Sequence, residues 1–420
     1  MSKNKHPNAR SRRFVPRVEM CEDRVVPSIT SPIPHGSLVE TPDDGGIPHV
    51  RIINPVSGED VGEIDAYDNS FRGGVHAAVG DINHDGVDDI VIAPGAGGGP
   101  RIRIIDGTNG AVLRDFFVYD PSFTGGVYVA VADTNADGFA DIITGTGAGG
   151  GPQVRVLSGK DLGQTVLQNF FAYDNAFRGG VLVAAGDINK DGSLDIVTGT
   201  GPGGGPRVIV FSGKTGAVLE NFFAYDASFR QGVIVGSGDL DGDGFDDVLT
   251  GSGPGGGPHA RGFSGKDGHD IISFFADDST FRGGVHVDAV DMNGDGRDDF
   301  VTHTRHGNDD FIRVFDGTNG TVIRVLMRSV DDNPNNTSGN PNLPPGADKA
   351  EGTITAVDAT AKTVSIKVAG GSIVIAKAGA ATKIERNNVT VTLAAFKVGD
   401  TAEAIIGSDG IAIKIEATGP

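Results

Sequence analysis

Five nine-residue segments of the form D-x-[DN]-x-D-G-x-x-D recur along this chain, and their recurrence restricts the fold more than any other feature. They begin at Asp81, Asp133, Asp187, Asp239 and Asp291, with successive spacings of 52, 54, 52 and 52 residues. A fixed period of this length marks a chain of stacked supersecondary units, each of which buries its apolar face only against its neighbours. The order within a period is constant. Each acidic segment runs into an apolar stretch (DIVIAPG, DIITGTG, DIVTGTG, DVLTGSG), and a Gly-rich turn ending in Pro follows. Next come an alternating stretch such as RIRIID or QVRVLSG, a turn such as DGTNG at 106–110 or GKTG at 213–216, and a stretch ending FFVYD or FFAYD. A loop of the type S-F-R-G-G then leads into VHAAVGD or VLVAAGD.

Runs of β-branched and aromatic residues between Gly, Pro and Asn turns predict four short strands per period, with no room for a helix. The 66 glycines, present without a collagen triplet, agree with many tight turns. The expected fold is all-β: a β-propeller of four-stranded antiparallel blades, followed by a small C-terminal β-barrel domain. Residues 37–74 carry the pattern backwards, because SLVETPDDGGIPHVRII aligns with IVIAPGAGGGPRIRI at an offset of 52. This predicts six blades over residues 30–328, the first without a clear innermost strand. Closing the ring would then require Asp23–Ile29 to supply that strand.

The acidic segments have the chemistry of a calcium loop. Calcium takes six to eight oxygens in a flexible shell. Positions 1, 3, 5 and 9 supply side-chain oxygens and position 7 a backbone carbonyl. In the first loop these are Asp81, Asn83, Asp85, the Val87 carbonyl and Asp89; in the second, Asp133, Asn135, Asp137, the Phe139 carbonyl and Asp141. The third offers Asp187, Asn189, Asp191, the Ser193 carbonyl and Asp195; the fourth, Asp239, Asp241, Asp243, the Phe245 carbonyl and Asp247. The fifth offers Asp291, Asn293, Asp295, the Arg297 carbonyl and Asp299. Free variation at position 7 fits a residue used only through its carbonyl, and Gly at position 6 permits the sharp turn. An EF-hand is excluded, since the loop closes at position 9 and runs into a strand rather than a helix.

The loops also explain much of the charge. Positions 1, 5 and 9 together with Asp241 place sixteen carboxylates in a chain of net charge -20. Without a cation each cluster would be self-repelling, so about five Ca²⁺ ions are expected as structural cofactors.

The loop, strand and Gly-rich turn together resemble the FG-GAP or VCBS-type repeats of integrin α-chain propellers and of bacterial exported proteins. The resemblance covers nearly all of 37–328, although the FG-GAP letters are degenerate, as in IAPGAG at 92–97. It implies a secreted or cell-surface, non-enzymatic interaction or adhesion scaffold. The alternative is a carbohydrate-binding module or the accessory propeller of a polysaccharide-active enzyme. The implied partner is a protein or polysaccharide on the face opposite the calcium loops.

Other motifs lose their meaning in context. GTGAGG at 145–150 has the letters of a dinucleotide fingerprint but leads into a strand, and SGKT at 212–215 has Val208 where a P-loop needs glycine. His303 and His306 are read as exposed loop histidines. The acidic balance disfavours nucleic acid as a partner. Cys21 is the single cysteine, so no disulfide forms within the chain, and no apolar run reaches the length of a membrane helix.

At the ends of the chain, residues 1–29 read as a basic N-terminal tail or leader. The stretch RRF…VEMCEDRVVPS resembles a short leader of large exported bacterial β-proteins. Residues 329–350, rich in Pro, Asn, Gly and Ser, read as a linker. Residues 351–420 alternate through five or six strands, as in an OB-like barrel. That segment resembles domains of unknown function appended to exported bacterial proteins.

On the face opposite the loops, Arg72, Arg178, Arg230 and Arg282 recur beside Phe71, Phe123, Phe177, Phe229 and Phe281, with Thr124 at the equivalent of the arginines. Two readings stay open: arginines paired with acids such as Asp68 and Asp174, or a cationic ring for an anionic partner.

Overall fold

The computed structural model describes residues 27–29, 32–41, 48–54, 60–68, 70–306, 309–329, 348–358, 362–368, 373–387, 389–406 and 411–419. The basic segment 1–26 and most of the expected linker, 330–347, lie outside them. Among the described residues there is no α-helix, and the strands form six four-stranded sheets and one six-stranded sheet.

Sheets two to six repeat one plan. From the inside outwards, sheet two is Val75–Gly80, Asp89–Pro94, Arg101–Ile105 and Val112–Phe117. Sheet three is Val127–Ala132, Asp141–Thr146, Gln153–Leu157 and Val166–Phe171. Sheet four is Val181–Gly186, Asp195–Thr200, Arg207–Phe211 and Val218–Phe223. Sheet five is Val233–Gly238, Asp247–Ser252, His259–Phe263 and Asp270–Phe275. Sheet six is His286–Val290, Asp299–His306, Asp309–Phe315 and Val322–Ser329. All pairings within these sheets are antiparallel.

Burial follows position in the sheet. The second strands of sheets two to five are buried at every residue, so each is covered on both faces. The outermost Val166–Phe171 and Val218–Phe223 instead alternate along their length, as strands at a rim must. Apolar clusters join each neighbouring pair of sheets, and Leu38 and Ile53 of sheet one pack with Val301, Ile312 and Val314 of sheet six. The ring therefore closes, and its innermost strands surround a channel. This is the arrangement of a β-propeller.

Sheet one departs from the plan and corrects the expected closure. Its order is Leu38–Glu40, His49–Ile53, Asp60–Asp65 and then Pro27–Ile29. Leu38–Glu40 aligns with the second strands of the other sheets, yet it is the strand that borders the channel. Pro27–Ile29 pairs with the outer edge of Asp60–Asp65, so it is neither an inner strand nor part of a loose tail. Ile29 there packs into the core shared by sheets one and two, which gives the segment an apolar reason to bind at the rim.

Hydroxyl clamps tie consecutive sheets together. Tyr119, at the end of the outermost strand of sheet two, places its hydroxyl 3.1 Å from the carbonyl oxygens of Thr144 and Gln153 in sheet three. Tyr173 and Tyr225 repeat this, reaching Thr198 and Thr250 and the carbonyls of Arg207 and His259. Tyr67, the first of the series, reaches the Arg101 carbonyl at 3.3 Å, and the fifth equivalent is Asp277, its side chain fully buried and ion-paired with Arg313 at 2.9 Å, with the Thr304 hydroxyl donating to the same oxygen.

The C-terminal strands close in the circuit Thr363–Val368, Asp348–Asp358, Thr401–Ile406, Ile411–Thr418, Ile373–Arg386 and back to Thr363–Val368, with Val389–Thr390 as an appendage. Among the described residues only the pairing of Ile373–Arg386 with Ile411–Thr418 is parallel. Asp348–Ala350, expected within the linker, are strand residues, as is Ser329 at the end of sheet six. Phe311 and Val325 of sheet six are buried in one cluster with Ile354, Ile366 and Phe396, so this unit shares a core with the last sheet.

Removing the Tyr119 hydroxyl strands its partners in a buried site. Tyr119→Phe is expected to cost ~1–2 kcal/mol, read by urea unfolding in saturating calcium. Breaking the buried ion pair with Asp277→Ala is expected to cost more, about 3–5 kcal/mol, in the same assay.

Candidate metal centres

Each acidic loop connects the innermost strand of its sheet to the second strand, and the five loops share one face of the ring with the turns between third and fourth strands. Local geometry recurs from loop to loop. The first Asp accepts two backbone N–H groups: Asp81 from Asp85 and Gly86 at 3.0 and 2.9 Å, Asp187 from Asp191 and Gly192 at 2.9 Å each. Asp133, Asp239 and Asp291 do the same in their loops. The fifth-position Asp accepts the N–H of position 7, as Asp85 does from Val87, Asp137 from Phe139 and Asp295 from Arg297. Asp191 and Asp243 bind Ser193 and Phe245 likewise. The sixth-position glycines have φ between +81° and +88°, a region closed to most side chains. The fourth position is also left-handed, at His84, Ala136, Lys190, Gly242 and Gly294.

The ninth-position carboxylates are buried and fasten loop to turn. Asp89, Asp141, Asp195 and Asp247 each accept an N–H from the glycine that opens the neighbouring turn, Gly107, Gly159, Gly213 and Gly265, at 3.0–3.1 Å. Their second oxygen accepts an N–H from position 2 or 3 of the loop, as Asp299 accepts from Met292 and Asn293. The sequence reading did not reach those glycines. Their signal is a Gly eighteen residues after each ninth-position Asp.

The loops are also linked to one another. The position-8 N–H of each loop donates to the position-1 carbonyl of the loop before it: Ala140 to Asp81, Leu194 to Asp133, Asp246 to Asp187 and Asp298 to Asp239, at 2.8–3.1 Å. The carboxylates of Asp246 and Asp298 return the bond by accepting from Asp187 and Asp239 at 2.7 and 2.9 Å. Sheet one has no such loop, and the Asp88 carboxylate instead accepts from Gly36 at 3.1 Å and meets His35 at 2.9 Å. Residues just before the first strand to border the channel thus stand in for the missing link.

The oxygens left over suit a hard cation. Asp239, Asp241 and Asp247 bring three carboxylate oxygens within 4.8 Å of one another. In the first and third loops Asn83 and Asn189 turn their amide nitrogens to the ninth-position Asp at 3.3 Å, which leaves each amide oxygen buried without a hydrogen-bond partner. A buried orphan acceptor beside two or three carboxylates suits a hard cation, which takes oxygen ligands of both kinds. The residues present therefore fit calcium. Lys266, next to Gly265, holds Asp243 at 3.0 Å and competes for the same charge.

Burial sets the protonation of the ninth-position acids. Withdrawal from water pushes Asp89 and Asp247 up to about 7 and Asp195 and Asp299 up to about 6, against the backbone N–H bonds that favour the anion, and neighbouring loop carboxylates push the same way. Asp141 is raised for the same first reason.

The opposite face carries the Gly-rich turns and the S-F-R-G-G links. There Gly149, Gly203 and Gly255 donate to the carbonyls of Arg178, Arg230 and Arg282, and Gly97 to that of Thr124, which interlocks neighbouring sheets. The arginine–acid pairs considered from the sequence are not formed at Asp68 and Asp174. Those carboxylates accept the N–H groups of Ser70 and Ala176, while Arg178, Arg230 and Arg282 donate to carbonyls of their own loops and remain exposed. The phenylalanines beside them are half-buried, and Tyr67, Tyr173 and Tyr225 meet Phe71, Phe177 and Phe229 edge-on at 5.7–6.3 Å.

His303 and His306 also need correcting. Both lie in the second strand of sheet six, not in a loop, and His303 is half-buried and faces the channel.

No family model matches the chain. Among solved structures it is similar to the V. cholerae biofilm matrix protein Bap1, at 19% identity and a TM-score of 0.34, over 69% of this chain and 43% of that one. This chain thus spans less than half of the biofilm protein's length. It is similar to the Dos1 propeller at 13% identity and a TM-score of 0.40, over 78% and 72% of the two chains. It is also similar to the rhamnogalacturonan lyase YesW at 13% identity and a TM-score of 0.35, over 91% and 75%.

A carboxyl whose folded pKa lies above its unfolded value adds stability that is complete below about pH 4 and lost as pH rises through the folded pKa. In chelator, the melting temperature is therefore expected to rise as pH falls from 7.5 to 5. The increment added by calcium should shrink over the same window, because the ion needs the anionic form. Thermal melts at pH 5, 6, 7 and 7.5, with and without calcium, read both slopes.

Proposed function

We propose that this chain is an extracellular, calcium-stabilised, six-bladed β-propeller of the FG-GAP or VCBS type that serves as a non-enzymatic interaction or adhesion scaffold. The observation that carries the reading is the recurrence of one loop geometry five times, with the amide oxygens of Asn83 and Asn189 buried and orphaned beside acidic groups. Calcium bound there supplies positive charge that cancels the repulsion among loop carboxylates. The rest belongs to the chain. Positions 1 and 5 hold the loop through backbone N–H groups, and position 9 anchors it to the glycine of the next turn. The scaffold reading also rests on the loops being nearly the same in every repeat, where an enzyme would concentrate its departures in one reacting group. The C-terminal strand circuit, with its single parallel pairing, supports an OB-type barrel as the second unit.

The partner surface in this reading is the face opposite the loops. It exposes Arg178, Arg230 and Arg282, and the rim beside it exposes Phe171, Phe223 and Phe275 at 54–60%. A ring of exposed cations with aromatic side chains suits an anionic polysaccharide or an acidic protein.

Exhaustive chelation at neutral pH is expected to lower the melting temperature by many degrees, and Asp187→Ala with Asp195→Ala to reproduce part of that loss in the presence of calcium. An unchanged melt in chelator would remove the calcium reading. For the partner face, Arg178→Gln with Arg230→Gln is expected to weaken retention on an acidic-polysaccharide column and flatten its salt dependence, while leaving the calcium-bound melt in place.

A further inference from the structure

The fourth acidic loop meets its charge differently from the first. In the first, Oδ1 of Asp85 accepts the Val87 N–H at 2.9 Å, and Oδ2 accepts the Thr108 hydroxyl at 3.2 Å. In the fourth, Oδ1 of Asp243 accepts the Phe245 N–H at 3.0 Å, and the Lys266 ammonium donates to Oδ2 at 3.0 Å. Thr108 and Lys266 hold the same place in the repeat, each directly after the glycine that opens its turn. A second ammonium comes from the third loop. Lys190, at position 4 there, donates to the Asp243 carbonyl at 2.7 Å and lies so close to Gly244 that a Cβ on that glycine would collide with its Nζ. Both ammonium groups also stand over the Phe245 ring, at 5.1 and 5.5 Å, where the π face favours a cation.

The acids of this loop differ to match. Position 3 is Asn in the other four loops and Asp241 here. The close cluster of carboxylate oxygens is that of Asp239, Asp241 and Asp247, and Asp243, turned to Lys266, stands outside it. The fourth loop therefore has one acid more than the others and two lysines set against it. In the second loop Lys160 has the place of Lys266 but stands 4.0 Å from Asp137, and the position-4 residue facing Phe139 is His84.

Resting on the calcium reading of the loops, we propose that Lys266 and Lys190 are a tethered counter-charge that sets the calcium affinity of the fourth loop. They hold Asp243 while the loop is empty, and calcium enters as Lys266 leaves Oδ2. A carboxylate oxygen can accept a hydroxyl and still face a calcium ion, because the hydroxyl carries no net charge. An ammonium and a divalent cation on one oxygen repel. Lys266 can give way, since its side chain is 56% exposed and its head can turn to water. Lys190 bonds a carbonyl and keeps its place. Asp241 offsets the carboxylate that Lys266 occupies in the empty loop. The fourth loop thus keeps its shape without the ion and binds it less tightly than four acids alone would allow.

The test compares the full chain with Lys266→Thr, which installs the residue found at Thr108 and Thr318 in the first and fifth turns, and with Lys266→Arg, which keeps the charge. Calcium isotherms are read by competition with a chromophoric chelator, and melts are recorded in excess chelator and in saturating calcium. Lys266→Thr is expected to tighten one of the bound ions by roughly three- to tenfold, the effect of removing one solvated charge beside a divalent ion. In chelator the same variant should melt below the parent, and in saturating calcium no lower than the parent. Lys266→Arg should follow the parent in both. The proposal is overturned if Lys266→Thr leaves every calcium constant unchanged, if it melts above the parent in chelator, or if Lys266→Arg tightens binding as Lys266→Thr does. A parent chain that takes up no calcium removes the calcium reading and the counter-charge with it. A parent that takes up calcium with constants indifferent to Lys266 removes the counter-charge alone.

Discussion

Every sheet in this ring depends on its neighbours because its second strand has two apolar faces. Ile90, Ile92, Ile142, Ile196 and Val248 are completely buried, and no single four-stranded sheet can cover both sides of such a strand. Stability is thus a property of the closed circle, and the interface between sheets six and one decides whether the circle exists. Leu38 and Ile53 against Val301, Ile312 and Val314 form that interface, and among the described residues sheet one adds no innermost strand to it. Pro27–Ile29 adds a rim strand to the same sheet from the opposite edge.

The loops add a second circle around the first. The second to fifth loops are bonded to the loop before them through position 8, and the first four to their own turns through position 9, so loss of order in one loop is passed on through hydrogen bonds. The cost is electrostatic. Buried carboxylates at Asp89 and Asp247 sit among other acids in a medium that screens poorly, which is why burial raises them towards neutrality. Protons, lysines such as Lys266 and a divalent cation are three ways to meet that charge, and only the cation satisfies several carboxylates at once.

What the sequence made legible was whatever is repeated. Strands, turns and the acidic segments announce themselves because the same letters return every fifty-odd residues, and the pattern has a gap before residue 37. Less legible were contacts between units. That Gly107 donates to Asp89, that Tyr119 reaches Thr144, and that Ala140 binds Asp81 are pairings across sheets or turns, and no local periodicity encodes them. The position of Pro27–Ile29 was misjudged because a three-residue strand carries almost no pattern of its own. Its placement is decided by where Ile29 finds an apolar surface. The arginine–acid pairs failed for a different reason: Asp68 and Asp174 bind backbone N–H groups two residues on, a local bond that outcompetes a long, exposed ion pair.

Departures from the repeat are therefore more informative than the repeat itself, and they gather on the two sides of sheet six. Asp277 replaces a clamp tyrosine where sheet five meets sheet six, and Arg313 answers it. Asp288 and His303 replace small residues where sheet six meets sheet one. A clamp tyrosine can hold a neighbour through one hydroxyl, whereas the buried pair between sheets five and six holds it only while both charges stay matched. Among the described residues no inner strand of sheet one lies against Asp288 and His303, so sheet six carries polar side chains where the other sheets need glycine or alanine.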